Sequence, residues 1–193
     1  MLPEPMATIY IFRHGQTYHN QEEKFSGVTE ARLTPLGIKQ AKDLAISLKN
    51  KKIHFAYQSP LARSQNTLKP ILKYHPECKK IITDNRIAER NLGEIEDMLH
   101  QKVIKRYGET SHRLWHRGYS TRPPNGQSFA DIEEKITDFI NELKEKYKDK
   151  NQGIVISAHG GSIRIFRKIV EKVSAKQALS WEIPNAKYFQ YQF

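Results

Sequence analysis

Apolar positions along this chain follow two periods, and the switches between them mark out its elements. Residues 7–12 are an apolar, β-rich run, which predicts a buried strand. Thr34 and Pro35 then supply a cap and a first helical residue. A helix is expected from there to about Lys49, with Ile38, Ala41, Leu44 and Leu48 on its buried face. Residues 53–57 predict a second strand. Ser59 is expected to cap, and Pro60 to open, a helix over 60–74 that Pro70 kinks or ends. A short strand over 79–82 follows, then helical pieces over 98–118 broken near Gly108. Ser128 with Asp131 opens a long helix to about Lys148, burying Ile132, Ile136, Phe139, Leu143 and Tyr147. Residues 153–158 predict another buried strand, followed by a helix to about Lys172 and a last strand over 188–193. Strands alternating with helices predict an α/β fold: a mixed, mainly parallel sheet with helices on both faces.

Length and composition narrow the class. A chain of 193 residues, 38% hydrophobic and 10% aromatic, fits one globular domain over 7–193, preceded by a disordered lead over residues 1–6. Its apolar runs are too short for a membrane helix, and its first residues do not read as a signal peptide. Cys78 is the single cysteine, so neither an intrachain disulfide nor a cysteine-rich zinc site is available. A cytoplasmic location is expected. Lys79 and Lys80 beside Cys78 raise the option of a low-pKa thiol, against that of an inert half-buried one.

The net charge of +11 suits the steering of anionic substrates or the binding of nucleic acid. Much of the excess lies near helix ends, in Lys49, Lys51 and Lys52 and in Lys144, Lys146, Lys148 and Lys150. Cations there complement the helix dipole, and no nucleic-acid-binding signature accompanies them. A nucleic-acid partner is therefore not expected, and a small phosphorylated metabolite is.

Chemistry is concentrated where strands end. Arg13-His14-Gly15 follows the first strand directly, and His159-Gly160-Gly161 follows the strand over 153–158. Ligands of open α/β sheets sit beyond the carboxyl ends of strands, and the helix after His159 would turn its free N–H groups to the same space. Arg63, in the first turn after the second strand, opposes its helix dipole there, a hint of a nearby anion. An arginine fork suits phosphate oxygens, and a neutral imidazole beside it can attack phosphorus. The chain has eight histidines, but no His-x-x-x-His spacing stands beside a carboxylate pair, so neither metal nor cofactor is expected.

The chain resembles the histidine phosphatase superfamily, in its phosphoglycerate mutase-like branch. The matching stretches are Tyr10 to Thr17 with Asn20, Phe25-Ser26-Gly27 leading to Leu33-Thr34-Pro35-Leu36-Gly37, and Gln40-Ala41. They continue through Ser59 to Ser64, Glu89 before Leu92-Gly93-Glu94, Pro124 to Ser128 with Asp131, Ser157 to Gly161, and Asn185. Their order along nearly the whole chain makes the signal specific. The resemblance implies a three-layer sandwich and a phosphohistidine mechanism. It casts His14 as nucleophile, and Arg13, Arg63 and His159 as the charged grip on the transferred phosphoryl. Asn20, Gly27 and Gly160 join that phosphate-binding set. Glu89 becomes the proton donor to the leaving oxygen and then the base that activates water. Such a reaction needs positioning and charge stabilisation above all.

Departures from the family pattern bear on the reaction. Val28 stands where mutases often carry Trp, and Asn91-Leu92-Gly93 where they often carry His-Tyr-Gly. Mutases are also usually longer. Against this, Leu114-Trp115-His116-Arg117-Gly118-Tyr119 partly matches the mutase segment that grips the substrate's acid group. Arg90, His116 and Arg117 are thus the expected specificity residues. The expected activity is metal-independent hydrolysis of small phosphate monoesters. Phosphoglycerate mutase activity is the alternative within the enzyme class, and a non-catalytic phosphate- or nucleic-acid-binding module is the alternative outside it. The sequence does not indicate an oligomeric state.

Overall fold

The structure, a computed structural model, describes residues 6–193. The expected disordered lead therefore lies outside the described residues except for Met6. Strand β1 (Thr8–Arg13) leads through a short α1 (Tyr18–Gln21) to α2 (Pro35–Leu48), β2 (Phe55–Gln58), α3 (Ala62–Leu72) and β3 (Lys80–Thr83). Helices α4 (His100–Tyr107), α5 (Glu109–Arg117) and α6 (Phe129–Tyr147) follow. Then come β4 (Gly153–Ala158), α7 (Gly160–Glu171), α8 (Ala175–Ser180) and β5 (Tyr188–Gln192). The strands form one sheet in the order β3-β2-β4-β1-β5, parallel except for β5. This is the mixed, mainly parallel α/β sandwich that the alternation predicts.

Strand β1 shows why the sandwich has two cores. Ile9 and Ile11 point to one face of the sheet, where they pack with Phe129, Ile132, Ile136 and Phe139 of α6 and with Ile163 and Phe166 of α7. Tyr10 and Phe12 point to the other, against Leu44 and Leu48 of α2 and Leu68 and Ile71 of α3. Strand β4 is buried at every position, as expected for a central parallel strand covered on both faces. A third, smaller cluster of Phe25, Leu92, Ile95 and Val103 lies apart, under α4 and α5. Among the described residues, no helix is long and apolar enough to cross a membrane.

Three local expectations need correction. Ile38 is 49% exposed, and α2 instead buries Gly37, Ala41, Leu44, Ala45 and Leu48. Ser59 does not cap α3, whose N-cap is Leu61 without a side-chain bond; the Ser59 hydroxyl is drawn to His159 instead. Pro70 lies inside α3, which runs two residues past it. The short α1 and α8 have no counterpart in the periodicity, since four and six residues show too little of a helical period. The Cys78 thiol is pushed up by burial, so Lys79 and Lys80 do not activate it.

Neighbouring strand ends fix the site. Arg13 pairs with Ala158 across β1 and β4, so His14 and His159 leave adjacent strands at the same level. The loop after His14 then presses on the start of α2. A Cβ on Gly37 would stand 2.0 Å from the Gln16 carbonyl oxygen, and one on Gly15 2.3 Å from that of Gly37. Both clashes are backbone against backbone. Gly37→Ala is expected to cost about 1–3 kcal/mol, as overpacking does. Urea unfolding checks this: the midpoint should fall at an unchanged slope, and an unchanged midpoint contradicts the contact.

Candidate active site

Above these strand ends lies a cavity of about 280 Å³, walled by Arg13, His14, Asn20, Gly27, Arg63, Glu89, Arg90, His116, Arg117, Gly160 and Arg164, among others. Of the residues expected there from sequence, His159 is missing from the wall. It is fully buried beneath it.

Hydrogen bonds set the state of each ring. His14 Nδ1 lies 2.8 Å from the Gly15 carbonyl oxygen. A carbonyl only accepts, so Nδ1 carries the proton and Nε2 keeps its lone pair. Asn185 Nδ2 donates to the His14 carbonyl and fixes the backbone there. Burial and the nearby Arg63 and Arg13 charges hold the His14 imidazole well below its ordinary pKa. His159 is held low by burial, Arg63 and His14. Its Nδ1 accepts from Arg63 Nε at 3.3 Å, so its Nε2–H donates to Ser59 Oγ at 2.7 Å. Both nitrogens of His159 are thus committed to protein. The ring is a neutral strut between Ser59 and Arg63, with its centroid 5.1 Å from that of His14.

The guanidiniums are partly satisfied by carbonyls. Arg63 donates through Nη1 to Thr29 O at 2.8 Å and through Nη2 to Gly27 O at 2.6 Å, which leaves two of its five N–H groups free. Arg13 donates through Nη1 to Ile183 O, while its buried Nε has no partner. Gly27 therefore acts through its carbonyl, as an anchor for Arg63. Asn20 caps α1 by accepting the Thr17 N–H, which leaves its amide NH₂ available. The Gly160 N–H is at the first position of α7, and the next N–H, of Gly161, donates to Glu89 Oε2 at 2.8 Å. A Cβ on Gly161 would stand 2.1 Å from Glu89 Oε1, so glycine is what lets the carboxylate reach the helix end.

Arg90 is buried, donates to Gln127 O and Trp115 O, and lies 4.1 Å over the Phe129 ring. Arg117 donates to Leu179 O and Glu182, and His116 lies beside it on the cavity wall. Burial pulls Arg90 and Arg164 down to about 10, and both remain charged at neutral pH. Arg164, Ser59, Lys24 and His100 were missed by sequence reasoning. Arg164 carried a usable signal, four residues after Gly160 and thus on the same helix face. Ser59 stands in a matching stretch, but its place before Pro60 reads as a cap and hides its bond to His159.

A mainly parallel sheet with two histidines at neighbouring strand ends, beneath a guanidinium-lined cavity, defines a phosphoglycerate mutase-like α/β protein. The chain belongs to the histidine phosphatase superfamily (branch 1), whose sequence profile matches residues 9–193. A relative, the 2,3-bisphosphoglycerate-dependent phosphoglycerate mutase of Pseudoalteromonas atlantica, is 25% identical over 213 positions, covering 97% of this chain and 94% of its own. Among solved structures, mycobacterial hydrolase 1 matches with a TM-score of 0.87 at 21% identity, covering 97% of this chain and 92% of that one. Mycobacterial glucosyl-3-phosphoglycerate phosphatase, solved with VO3, matches with a TM-score of 0.83 at 22% identity, covering 95% and 90%. These structural likenesses speak to the fold.

Two buried neutral histidines make stability depend on pH. Their folded pKa values lie below the unfolded value of about 6.5. Below that pH the unfolded chain takes up protons that the folded chain refuses. Their contribution is therefore full above about pH 6.5 and is lost as pH falls towards the folded values, at up to about 1.4 kcal/mol per pH unit for each ring. Urea unfolding from about pH 7.5 to about pH 5 is expected to show this decline, and His159→Asn to make it shallower by one ring's share.

Proposed function

We propose that this protein hydrolyses small phosphate monoesters through a phosphohistidine at His14. The observation that carries the reading is the state of that ring: neutral, with Nδ1–H fixed on Gly15 O and Nε2 left free beside two arginines. The Nε2 lone pair attacks phosphorus and the ester P–O bond breaks. Glu89 gives its proton to the leaving oxygen. Gly15 O, already accepting from Nδ1–H, stabilises the positive charge that develops on the ring. Glu89, now a carboxylate, takes a proton from water as that water's oxygen attacks phosphorus. The P–N bond breaks, inorganic phosphate leaves, and His14 is neutral again.

In this reading Arg13, Arg63, Asn20 and the Gly160 N–H meet the equatorial oxygens through donors the protein leaves unpaired. Fixed donors of this kind stabilise charge that develops in the transition state. His159 contributes by holding Arg63 rather than by touching phosphate. Arg90, Arg164, His116 and Arg117 face the rest of the substrate, which favours one carrying a second anionic group.

Hydrolysis is favoured over isomerisation by Val28 and Asn91-Leu92-Gly93, which depart from the mutase pattern, and by segments that one mutase relative has and this chain lacks. The alignment to the Pseudoalteromonas mutase runs over more positions than this chain has residues, so that mutase carries segments absent here. A mutase must keep water from the phosphohistidine until its product is rephosphorylated. The mutase relatives keep the second reading in play, and one preparation tests both. Rapid quenching with labelled substrate is expected to trap an acid-labile, base-stable protein phosphate that His14→Ala abolishes. The label should then pass to water faster than 3-phosphoglycerate is converted to 2-phosphoglycerate. Isomerisation that outruns phosphate release establishes the mutase instead.

Glu89 is tested by its leaving group. Glu89→Gln is expected to cost roughly 10²–10⁴ in rate on alkyl phosphates, as loss of a general acid does. The cost should shrink on aryl phosphates whose leaving oxygen needs no proton. An equal loss on both removes Glu89 from the acid role.

A further inference from the structure

On the wall opposite the phosphoryl end, three histidines converge that the proposed chemistry does not require as a group. His112 and His116 are one helical turn apart on α5, and His100 comes from the first turn of α4. One ring nitrogen from each lies within 4.8 Å of the others. His100 Nδ1 and His112 Nε2 are 2.8 Å apart. The His100 ring is stacked on Phe25 at 3.9 Å, with the edges of His112 and His116 turned to the same phenyl ring.

We propose that His100, His112 and His116 bind a first-row transition-metal ion, zinc in the first instance, with an open coordination position facing the cavity.

The spacing suits this. A tetrahedral zinc ion with Zn–N bonds of 2.0–2.1 Å needs its nitrogens about 3.4 Å apart. The widest separation here would close by about 1.4 Å at most, given the 4.8 Å limit. Two histidines at i and i+4 already share one face of α5, so the adjustment falls on His100. Gly108 joins α4 to α5 at φ 85°, with open space where a Cβ would be, which gives that adjustment a hinge. His100 and His112 now share one proton between facing nitrogens. Each neutral ring has a second nitrogen to carry its proton, so both lone pairs can turn to an ion without net proton loss.

Burial holds His100 at about 4 and His116 at about 3, so the rings are unprotonated at neutral pH. The groups facing the cluster oppose a cation. Arg117 and Arg164 both lower the His116 proton affinity. Three imidazole lone pairs have to overcome that field, and the same field draws an anion to the ion's fourth position. His100 and His116 line the cavity, so that position opens towards substrate. Sequence reasoning passed over the site because it sought a carboxylate pair beside His112 and His116. The third ligand is supplied instead by a separate helix.

The test uses the metal-stripped full chain, titrated with Zn²⁺ and with Co²⁺ as a visible probe. One equivalent is expected to bind, with the intense visible bands of tetrahedral cobalt and no thiolate charge-transfer band. His112→Gln and His116→Gln should each weaken binding by at least roughly tenfold, and Cys78→Ser should leave it unchanged. Circular dichroism of the same variants separates loss of a ligand from loss of fold, and His100→Asn gives a third variant on the other helix. Inorganic phosphate added to the cobalt form should alter the visible spectrum. Binding weaker than roughly 0.1 mM, binding that survives folded histidine variants, or a thiolate band lost with Cys78→Ser overturns the site. A cobalt spectrum indifferent to phosphate overturns its open position. These readouts do not depend on the phosphatase reading.

Discussion

Four largely buried guanidiniums around one cavity constrain the rest of this structure. Arg13, Arg63, Arg90 and Arg164 are all pulled below their ordinary pKa by burial, and Glu89, when ionised, is a charge that supports every one of them. Burying charge is tolerable only where it is paired or well solvated by protein dipoles. The chain meets that demand with carbonyls. Thr29 and Gly27 solvate Arg63, Ile183 solvates Arg13, Gln127 and Trp115 solvate Arg90, and Trp181 solvates Arg164. The loops after α1, α5 and α8, and α5 itself, are thereby tied to one cavity. Among the described residues, the buried Arg13 Nε is left without a partner by those carbonyls.

The same charge dictates the histidines. Burial first, and repulsion from Arg63 and Arg13 next, disfavour a cationic ring, so both His14 and His159 are neutral. Neutrality alone leaves two tautomers, and the hydrogen bonds choose between them. A carbonyl at Nδ1 frees Nε2 of His14, whereas a guanidinium at Nδ1 commits Nε2 of His159 to Ser59. Two chemically identical side chains leave neighbouring strand ends, and their partners alone make one a free base and the other a strut.

What was legible in the sequence is what periodicity and strand ends encode. The buried run before Arg13-His14 and the run before His159 announced both β1 and β4, and the capping box at Ser128 and Asp131 announced α6. Motif order placed Glu89, though nothing local distinguishes a loop glutamate. Features set by tertiary partners stayed hidden. Ile38 fits the apolar stripe of α2 but lies at its exposed edge, because Gly37 has to meet the His14 loop. Ser59 looks like a cap until β4 brings His159 to it. The sequence likewise cannot show that His100 meets His112, since the fold of α4 against α5 across Gly108 creates that contact.

The two ends of the cavity are built on different foundations. At one end, His14 follows β1, and Arg63 and Gly160 lie in the first turns of α3 and α7, the helices after β2 and β4, so both main cores hold them in place. At the far end, His100, His116 and Arg117 belong to α4 and α5. Those helices rest on a small cluster of their own, Phe25, Leu92, Ile95 and Val103, joined by Met98, Tyr107 and Trp115. A change in that cluster bears first on the far wall, and reaches the other end through Gly27, which anchors Arg63. One end of the cavity is thus fixed by the sheet, and the other rests on a wall that can vary. Such a division gives a physical reason for one fold to host several related activities.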